Sequence, residues 1–407
     1  MICPPNNKDI NILLLEDISQ TAIRLFEEAS FHVESISHAL SEEELMEKIA
    51  NVDIVGIRSK TKLTQRVIHR ARNLKAVGCF CIGTDQTDLE TCERRGIPVF
   101  NSPFASTRSV AEVAMAEIVM LSRKVSEHIQ NMNRGNWYKK ITKDCCEVRG
   151  KTLGVIGYGH VGSQLGLLAE SFGMTVLYYD IERKLPLGNA KPVPSLEFVL
   201  KNSQFVSLHV PKTEQTHNMI AKEQLAMMCP GSYLLNLSRG SVVNVDDLAF
   251  SLQTKHLAGA AVDVFPVEPN HDGEGVFSSP LQTCFNTILT PHIGGSTIEA
   301  QEAIGSEVAQ TLIRFIKDGT TVGSVNFPQI RPMHYDGCHC LLHVHVNRQG
   351  VLKQINTLLQ DHNVVSQLLG TTRHIGYMVI ELEREVETEI LQQIMELETT
   401  IKVYVLS

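Results

Sequence analysis

Short apolar runs alternating with amphipathic stretches predict an α/β protein built on parallel sheets, and three observations carry that reading. The alternation runs from residue 10 to 101, resumes at Thr152, and gives way after residue 337 to strand, helix, strand, strand, helix, strand. At 407 residues the chain exceeds one ordinary core, so two or three domains are expected.

In the first stretch the apolar runs are Ile12-Leu13-Leu14-Leu15, Ile54-Val55-Gly56-Ile57, Lys75-Ala76-Val77-Gly78 and Pro98-Val99-Phe100. Helical patterns lie near 18–29, 41–50 and 64–72. One long helix is then expected from Ser106 or Thr107, with a hydroxyl at its start, to about Asn133, where Arg134-Gly135 stops it. The second stretch offers strands at Leu153–Ile156, Thr175–Tyr179, Phe205–Val210, Tyr233–Leu237 and Leu257–Val264, and a helix from Ser163 to Phe172. A helix from about Thr297 to Lys317 follows, and connectivity suggests that it returns to the first domain. Pro328, Pro332 and Gly337 mark a linker. Beyond it the strands are expected at 341–346, 364–369, 377–382 and 401–406, with helices at 350–360 and 388–397.

Composition narrows the class. Acidic residues outnumber basic ones, 45 to 37, which argues against a nucleic-acid or membrane surface as partner. Ten cysteines lack the spacing of a disulfide framework, as expected in a reducing compartment. Met1 to Asn6 show no basic-then-apolar signal pattern, and the apolar stretch Val110–Leu121 carries Glu112 and Glu117. A cytoplasmic location is the expectation.

The loop Gly157-Tyr158-Gly159-His160-Val161-Gly162 follows an apolar strand and opens a helix, with Asp180 further on. In a Rossmann-like unit, Gly157 allows the tight turn, Gly159 lets backbone approach a pyrophosphate, and Gly162 lets helix pack on strand. Asp180 is placed to bond the adenosine ribose and to repel a 2′-phosphate, which favours NAD, with Arg183 and Lys184 close enough to soften that preference. Three more residues match the needs of 2-oxo acid reduction. Arg239 can grip a carboxylate, His292 can move a proton near neutral pH, and Glu268 can fix the histidine tautomer. Taken singly, each also reads as a turn cation, a solvated acid and a satisfied core histidine.

The strings around them remove that ambiguity. Gly157–Gly162, Asn236-Leu237-Ser238-Arg239-Gly240, Ala261-Val262-Asp263-Val264-Phe265 with Glu268-Pro269, and Thr290-Pro291-His292-Ile293-Gly294-Gly295 together resemble the D-isomer-specific 2-hydroxyacid dehydrogenases over residues 10–325. The resemblance implies a Rossmann-like nucleotide-binding domain (105–294) inserted in a flavodoxin-like substrate domain (1–104 with 295–330), with the active site in the cleft between them. It implies Arg239 as substrate arginine, His292 and Glu268 as the acid–base pair, and further cofactor contacts at His209, Ser238, Asp263 and Gly294. Gly78-Cys79-Phe80-Cys81-Ile82-Gly83-Thr84-Asp85, Gly96–Asn101 and Val325-Asn326-Phe327-Pro328 look like the branch that carries one C-terminal ACT-like module. That branch implies oxidation of 3-phosphoglycerate to 3-phosphohydroxypyruvate in serine synthesis. Its phosphate receptor would be Arg58-Ser59-Lys60, with backbone at Ile82 and Gly83 approaching the carboxylate; a solvated basic strand end is the plain alternative. The other readings are a dehydrogenase for glycerate, lactate or 2-hydroxyglutarate, or a dinucleotide-sensing binding protein.

The βαββαβ tail (337–407) resembles an ACT-like regulatory domain, and His345 and Asn347 match its effector-contacting positions, with L-serine as the implied effector. Gln349 stands where the family usually has proline, and a second asparagine is missing near Asp361 to Val365. Trp137, the only tryptophan, is implied to insert into a neighbouring subunit, and a homotetramer is expected. Cys338, His339, Cys340, His343 and His345, with His334 nearby, tempt a metal reading, but no further pair has zinc-finger spacing and no metal is assigned.

Overall fold

The computed structural model describes residues 10–139, 144–269, 273–335 and 337–406. Met1 to Asn6 and Asp336 of the hinge lie outside the described residues. Two compact units emerge, one from the chain up to Ala105 together with Gln301 onward, the other from Ser106 to Ala300.

The first unit opens with five parallel strands: β1 Asn11–Leu15, β2 His32–Ile36, β3 Ile54–Ile57, β4 Ala76–Cys79 and β5 Val99–Asn101. Their order, β2-β1-β3-β4-β5, is the flavodoxin-like doubly wound arrangement. β1 shows why its sequence is a continuous apolar run. Ile12 and Leu14 enter one core and Leu13 and Leu15 the other, so both faces are covered. β2 escaped the sequence reading because it is the edge strand, largely exposed and polar.

The second unit adds β6 Thr152–Ile156, β7 Thr175–Tyr179, β8 Lys191–Pro192, β9 Phe205–Leu208, β10 Ser232–Asn236, β11 Leu257–Val262 and β12 Thr287–Leu289. They form one parallel sheet ordered β12-β11-β10-β9-β6-β7-β8. Order reverses beside β6, at the dinucleotide switch point of a Rossmann-like sheet. One expectation is corrected. The helix from Thr107 ends at Ser122, and a second helix covers Val125–Asn133. Lys124 between them is left-handed at φ 50°, a turn that apolar periodicity cannot reveal.

Back in the first unit, helix Ile298–Asp318 packs Ile304, Val308 and Leu312 onto the β1 face. The stretch between this helix and Pro328 is tied down. Asn326 accepts from the Val99 amide at 2.8 Å and donates to the Ile97 carbonyl at 3.0 Å, tying it to β5. The C-terminal sheet comprises β13 His339–Val346, β14 Val364–Thr371, β15 Ile375–Leu382 and β16 Thr400–Leu406, antiparallel in the order β14-β15-β13-β16. Helices Val351–Leu358 and Thr388–Glu396 cover one face, while Phe327 and Ile330 cover the other. The Tyr377 hydroxyl donates to the Gly319 carbonyl at 2.6 Å, and a Cβ at Gly319 would meet Leu342 at 2.6 Å. Among the described residues no helix is long and apolar enough to cross a membrane, and the nine described cysteines are free thiols.

Candidate active site

β6 delivers the glycine loop at the switch point. Gly157 turns at φ 88°, and a Cβ there would strike the His209 carbonyl oxygen at 2.3 Å. A Cβ on Gly162 would lie 2.2 Å from the Gly157 carbonyl, so helix His160–Ser171 sits directly on the loop. Gly159 faces open space, leaving its backbone accessible to a phosphate. Asp180, just past β7, accepts from the Tyr158 amide at 2.8 Å and from the Glu182 amide at 2.9 Å, so its carboxylate is fixed at the loop edge. The Lys184 ammonium is drawn to Glu182 at 2.5 Å, which turns one of the two nearby cations to a protein partner. The cradle therefore fits a dinucleotide. His209 lies on its wall beside Ser207 Oγ, 2.9 Å from Nε2, and burial pulls its pKa down to about 4, so the ring is neutral.

The catalytic candidates cluster past the ends of β10, β11 and β12. His292 Nδ1 lies 2.8 Å from Glu268 Oε2, and Glu268 Oε1 accepts from the Phe265 amide at 3.0 Å. The hydrogen bond to Glu268 raises the His292 pKa against the opposing effect of burial. Burial pushes Glu268 up, but the bond and charge of His292, the Phe265 amide and the charge of Arg239 leave it below the ordinary carboxylate value. Arg239 is brought close because Gly240 packs under Phe265, where a Cβ would stand 2.0 Å from its carbonyl carbon. Ser238 donates its amide and hydroxyl to Asn236 Oδ1, fixing the turn that leads into Arg239.

Asp263 holds the histidine. Oδ1 accepts from Thr290 Oγ1 at 2.6 Å and the Ile293 amide at 2.8 Å, Oδ2 from the Gly294 amide at 2.8 Å, while its carbonyl accepts the His292 amide at 2.8 Å. His292 is thereby kept at φ 56°, a left-handed conformation uncommon for a residue with a side chain. This anchoring role was not visible in the sequence. Nor was Glu117, a carboxyl 2% exposed whose two oxygens have no hydrogen-bond partner. Burial, then the charge of Asp263, push its pKa up to about 8.

In the first unit, Arg58, half-buried, and Ser59 and Lys60, both exposed, follow β3. Glu16, at φ 70° after β1, gathers their backbone: its Oε1 accepts from the Arg58 and Thr61 amides and its Oε2 from the Lys60 amide, at 2.8 to 3.2 Å. Gln86 Nε2 donates to the Arg58 carbonyl at 2.6 Å and the Gly83 carbonyl at 3.3 Å, joining this loop to Ile82-Gly83. Asn101 Nδ2 holds the Ile82 carbonyl at 2.6 Å. An acid closing an apolar run at a sheet's carboxyl edge was the signal for Glu16.

In the C-terminal module His345 is 3% exposed, with Nδ1 on the Val346 carbonyl at 2.9 Å. Asn347 Nδ2 donates to the Thr372 carbonyl at 2.8 Å. The His343 and His345 rings stack at 5.2 Å, and burial lowers both pKa values.

Residues 115–294 match the D-isomer specific 2-hydroxyacid dehydrogenase NAD binding domain, and residues 341–402 an AHAS small subunit-like ACT domain. The chain is 52% identical over 402 residues to D-3-phosphoglycerate dehydrogenase of Dictyostelium discoideum, covering 99% of this chain and 98% of that one. It is 48% identical to the protein of the same name from Escherichia coli strain K12, with 92% of each covered. The structure of D-lactate dehydrogenase from Aquifex aeolicus, complexed with NAD and lactic acid, superposes with a TM-score of 0.69 at 28% identity, covering 78% of this chain and all of that one. The chain belongs to the D-3-phosphoglycerate dehydrogenase family of D-isomer-specific 2-hydroxyacid dehydrogenases.

Proposed function

We propose that the chain catalyses NAD-dependent oxidation of 3-phospho-D-glycerate to 3-phosphohydroxypyruvate, the entry to serine biosynthesis. The observation that carries it is the His292–Glu268 pair beside Arg239, in a chain 52% identical to a protein named for this activity. NAD, when bound, supplies the acceptor for the C2 hydride. His292 Nε2 takes the proton of the C2 hydroxyl as the carbonyl forms, while Glu268 holds the Nδ1 proton and stabilises the resulting imidazolium. Arg239 orients the substrate carboxylate by paired hydrogen bonds. Arg58, Ser59 and Lys60 receive the phosphate, and the backbone at Ile82 and Gly83 meets the carboxylate from the other side. His209, Ser238, Asp263 and Gly294 border the cofactor, together with the glycine loop and Asp180.

The C-terminal module supports feedback by L-serine through His345 and Asn347. A cytoplasmic homotetramer is the proposed state, and Trp137, 78% exposed in the single chain, supports an intersubunit role for that side chain. A concentration-independent monomer in sedimentation would refute the tetramer.

The test follows NADH oxidation with 3-phosphohydroxypyruvate, with and without serine. Turnover should be strong and fall about 10²- to 10⁴-fold in His292→Ala, while Arg58→Ala and Lys60→Ala mainly raise KM. If hydroxypyruvate without phosphate serves equally well, the phosphorylated substrate is wrong. A rate unchanged by serine would reject the effector.

A further inference from the structure

The segment leading into the C-terminal module brings a half-exposed histidine against Glu381 of β15. His334 Nε2 lies 3.0 Å from the Asp318 carbonyl, an oxygen that can only accept, so the ring carries its proton there. Its other nitrogen, Nδ1, lies 2.8 Å from Glu381 Oε1. That carboxylate is buried, and the Cys340 thiol reaches it as well. Cys340 completes the group. It pairs with Glu381 in the β13–β15 register and is 4% exposed, and His334, Cys340 and Glu381 each place one ligand atom within 4.8 Å of the others.

We propose that His334, Cys340 and Glu381 form a binding site for a divalent ion of the zinc class. A sulfur, an imidazole nitrogen and a carboxylate oxygen are the ligand types that such borderline-soft ions take, with water at the fourth position. Binding releases the Cys340 thiol proton to solvent and replaces the S–H bond with a sulfur–metal bond. The Asp318 carbonyl acts as the outer partner that fixes the ring tautomer. The ion would fasten three pieces of the first unit: the end of helix Ile298–Asp318, the segment carrying His334, and β13 with β15. Looking along β13 for ligands could not reveal this set, because its members come from three separate segments.

The test uses the full, untagged chain, stripped with a chelator and titrated with Co²⁺ and then Zn²⁺. One Co²⁺ per chain should bind and give a thiolate-to-cobalt charge-transfer absorption that Zn²⁺ displaces. Cys340→Ser should abolish that absorption, and Cys338→Ser should retain it. His334→Ala, at a half-exposed position, keeps the fold as read by unchanged dehydrogenase turnover. It should weaken Co²⁺ binding by more than the roughly 10- to 100-fold that loss of an outer partner causes. Absence of the absorption in the wild type, its persistence in Cys340→Ser, or full Co²⁺ affinity in His334→Ala would each overturn the site. The first of these outcomes would reduce the contact to an ordinary histidine–carboxylate ion pair.

Discussion

The His292 loop and the Arg58–Lys60 loop are held by the same device, a strand-end carboxylate that gathers backbone N–H groups, yet the two carboxylates keep opposite company. Glu16 ties down a loop bearing two cations, one of which returns a guanidinium hydrogen bond to its carbonyl at 3.4 Å. Asp263 is 2% exposed and close enough to a second buried carboxyl, Glu117, to raise its pKa. The difference separates the demands on the two loops. One presents charge to an anion and needs only a fixed backbone. The other must hold a histidine in an unfavourable backbone conformation, and does so beside a buried Glu117 whose pKa is pushed up to about 8.

Four changes would break or sharpen that contrast. Glu268→Gln is expected to be the most damaging, since it removes the base partner without touching the Asp263 anchor. Reduction should slow on the order of 10²-fold or more. Because Glu268 raises the His292 pKa, reduction, which needs the protonated ring, falls as pH rises through that raised value. In the variant this fall should move to lower pH, and a pH–kcat/KM profile left in place would refute the assignment. Asp263→Asn comes next, since an amide presents a donor to at least one amide that Asp263 now accepts. Displacement of His292 should lower kcat about 10²-fold at saturating NADH, as single-turnover kinetics would record. Glu16→Gln should chiefly raise KM for the phosphorylated substrate, about 5- to 30-fold, equivalent to about 1–2 kcal/mol. If kcat falls instead and KM holds, the loop does not serve the phosphate.

Glu117→Gln should change turnover least and show itself in stability. Its folded pKa, about 8, lies above the unfolded value near 4.5, so the folded state binds the extra proton between them. Wild-type stability should therefore decline as pH rises across that window. The variant should lose this dependence and gain on the wild type at pH 8, by up to a few kcal/mol at about 1.4 per pKa unit. Parallel pH–stability curves from denaturant unfolding would show that Glu117 does not titrate there.

The parts of the site that the sequence disclosed are those written in contiguous strings. Gly157 to Gly162, Ser238-Arg239-Gly240 and Pro291-His292-Ile293-Gly294 each carry a local backbone demand together with a chemical group, and it is as whole strings resembling the D-isomer-specific 2-hydroxyacid dehydrogenases that they become legible. Strands with both faces buried, such as β1 and β3, announce themselves for a similar reason. What stayed hidden depends on distant pairing. Glu16 meets Arg58 and Thr61 across more than forty residues, and Asp263 meets Gly294 across 31. The break at Lys124 and the polar edge strand β2 were missed because neither leaves an apolar period.

The join between the C-terminal module and helix Ile298–Asp318 bears on how the chain can be cut and recombined. The Tyr377 hydroxyl closes the helix at Gly319, and Phe327 and Ile330 fill the sheet face from outside the module. A fragment ending before β13 would leave that apolar pair and the Gly319 carbonyl without their cover. A foreign module grafted after residue 337 would have to bring a tyrosine and a matching apolar face to the same seat. The tail and its seat are thus one unit of exchange, and swapping regulatory modules between relatives would succeed only with residues 319–330 carried along.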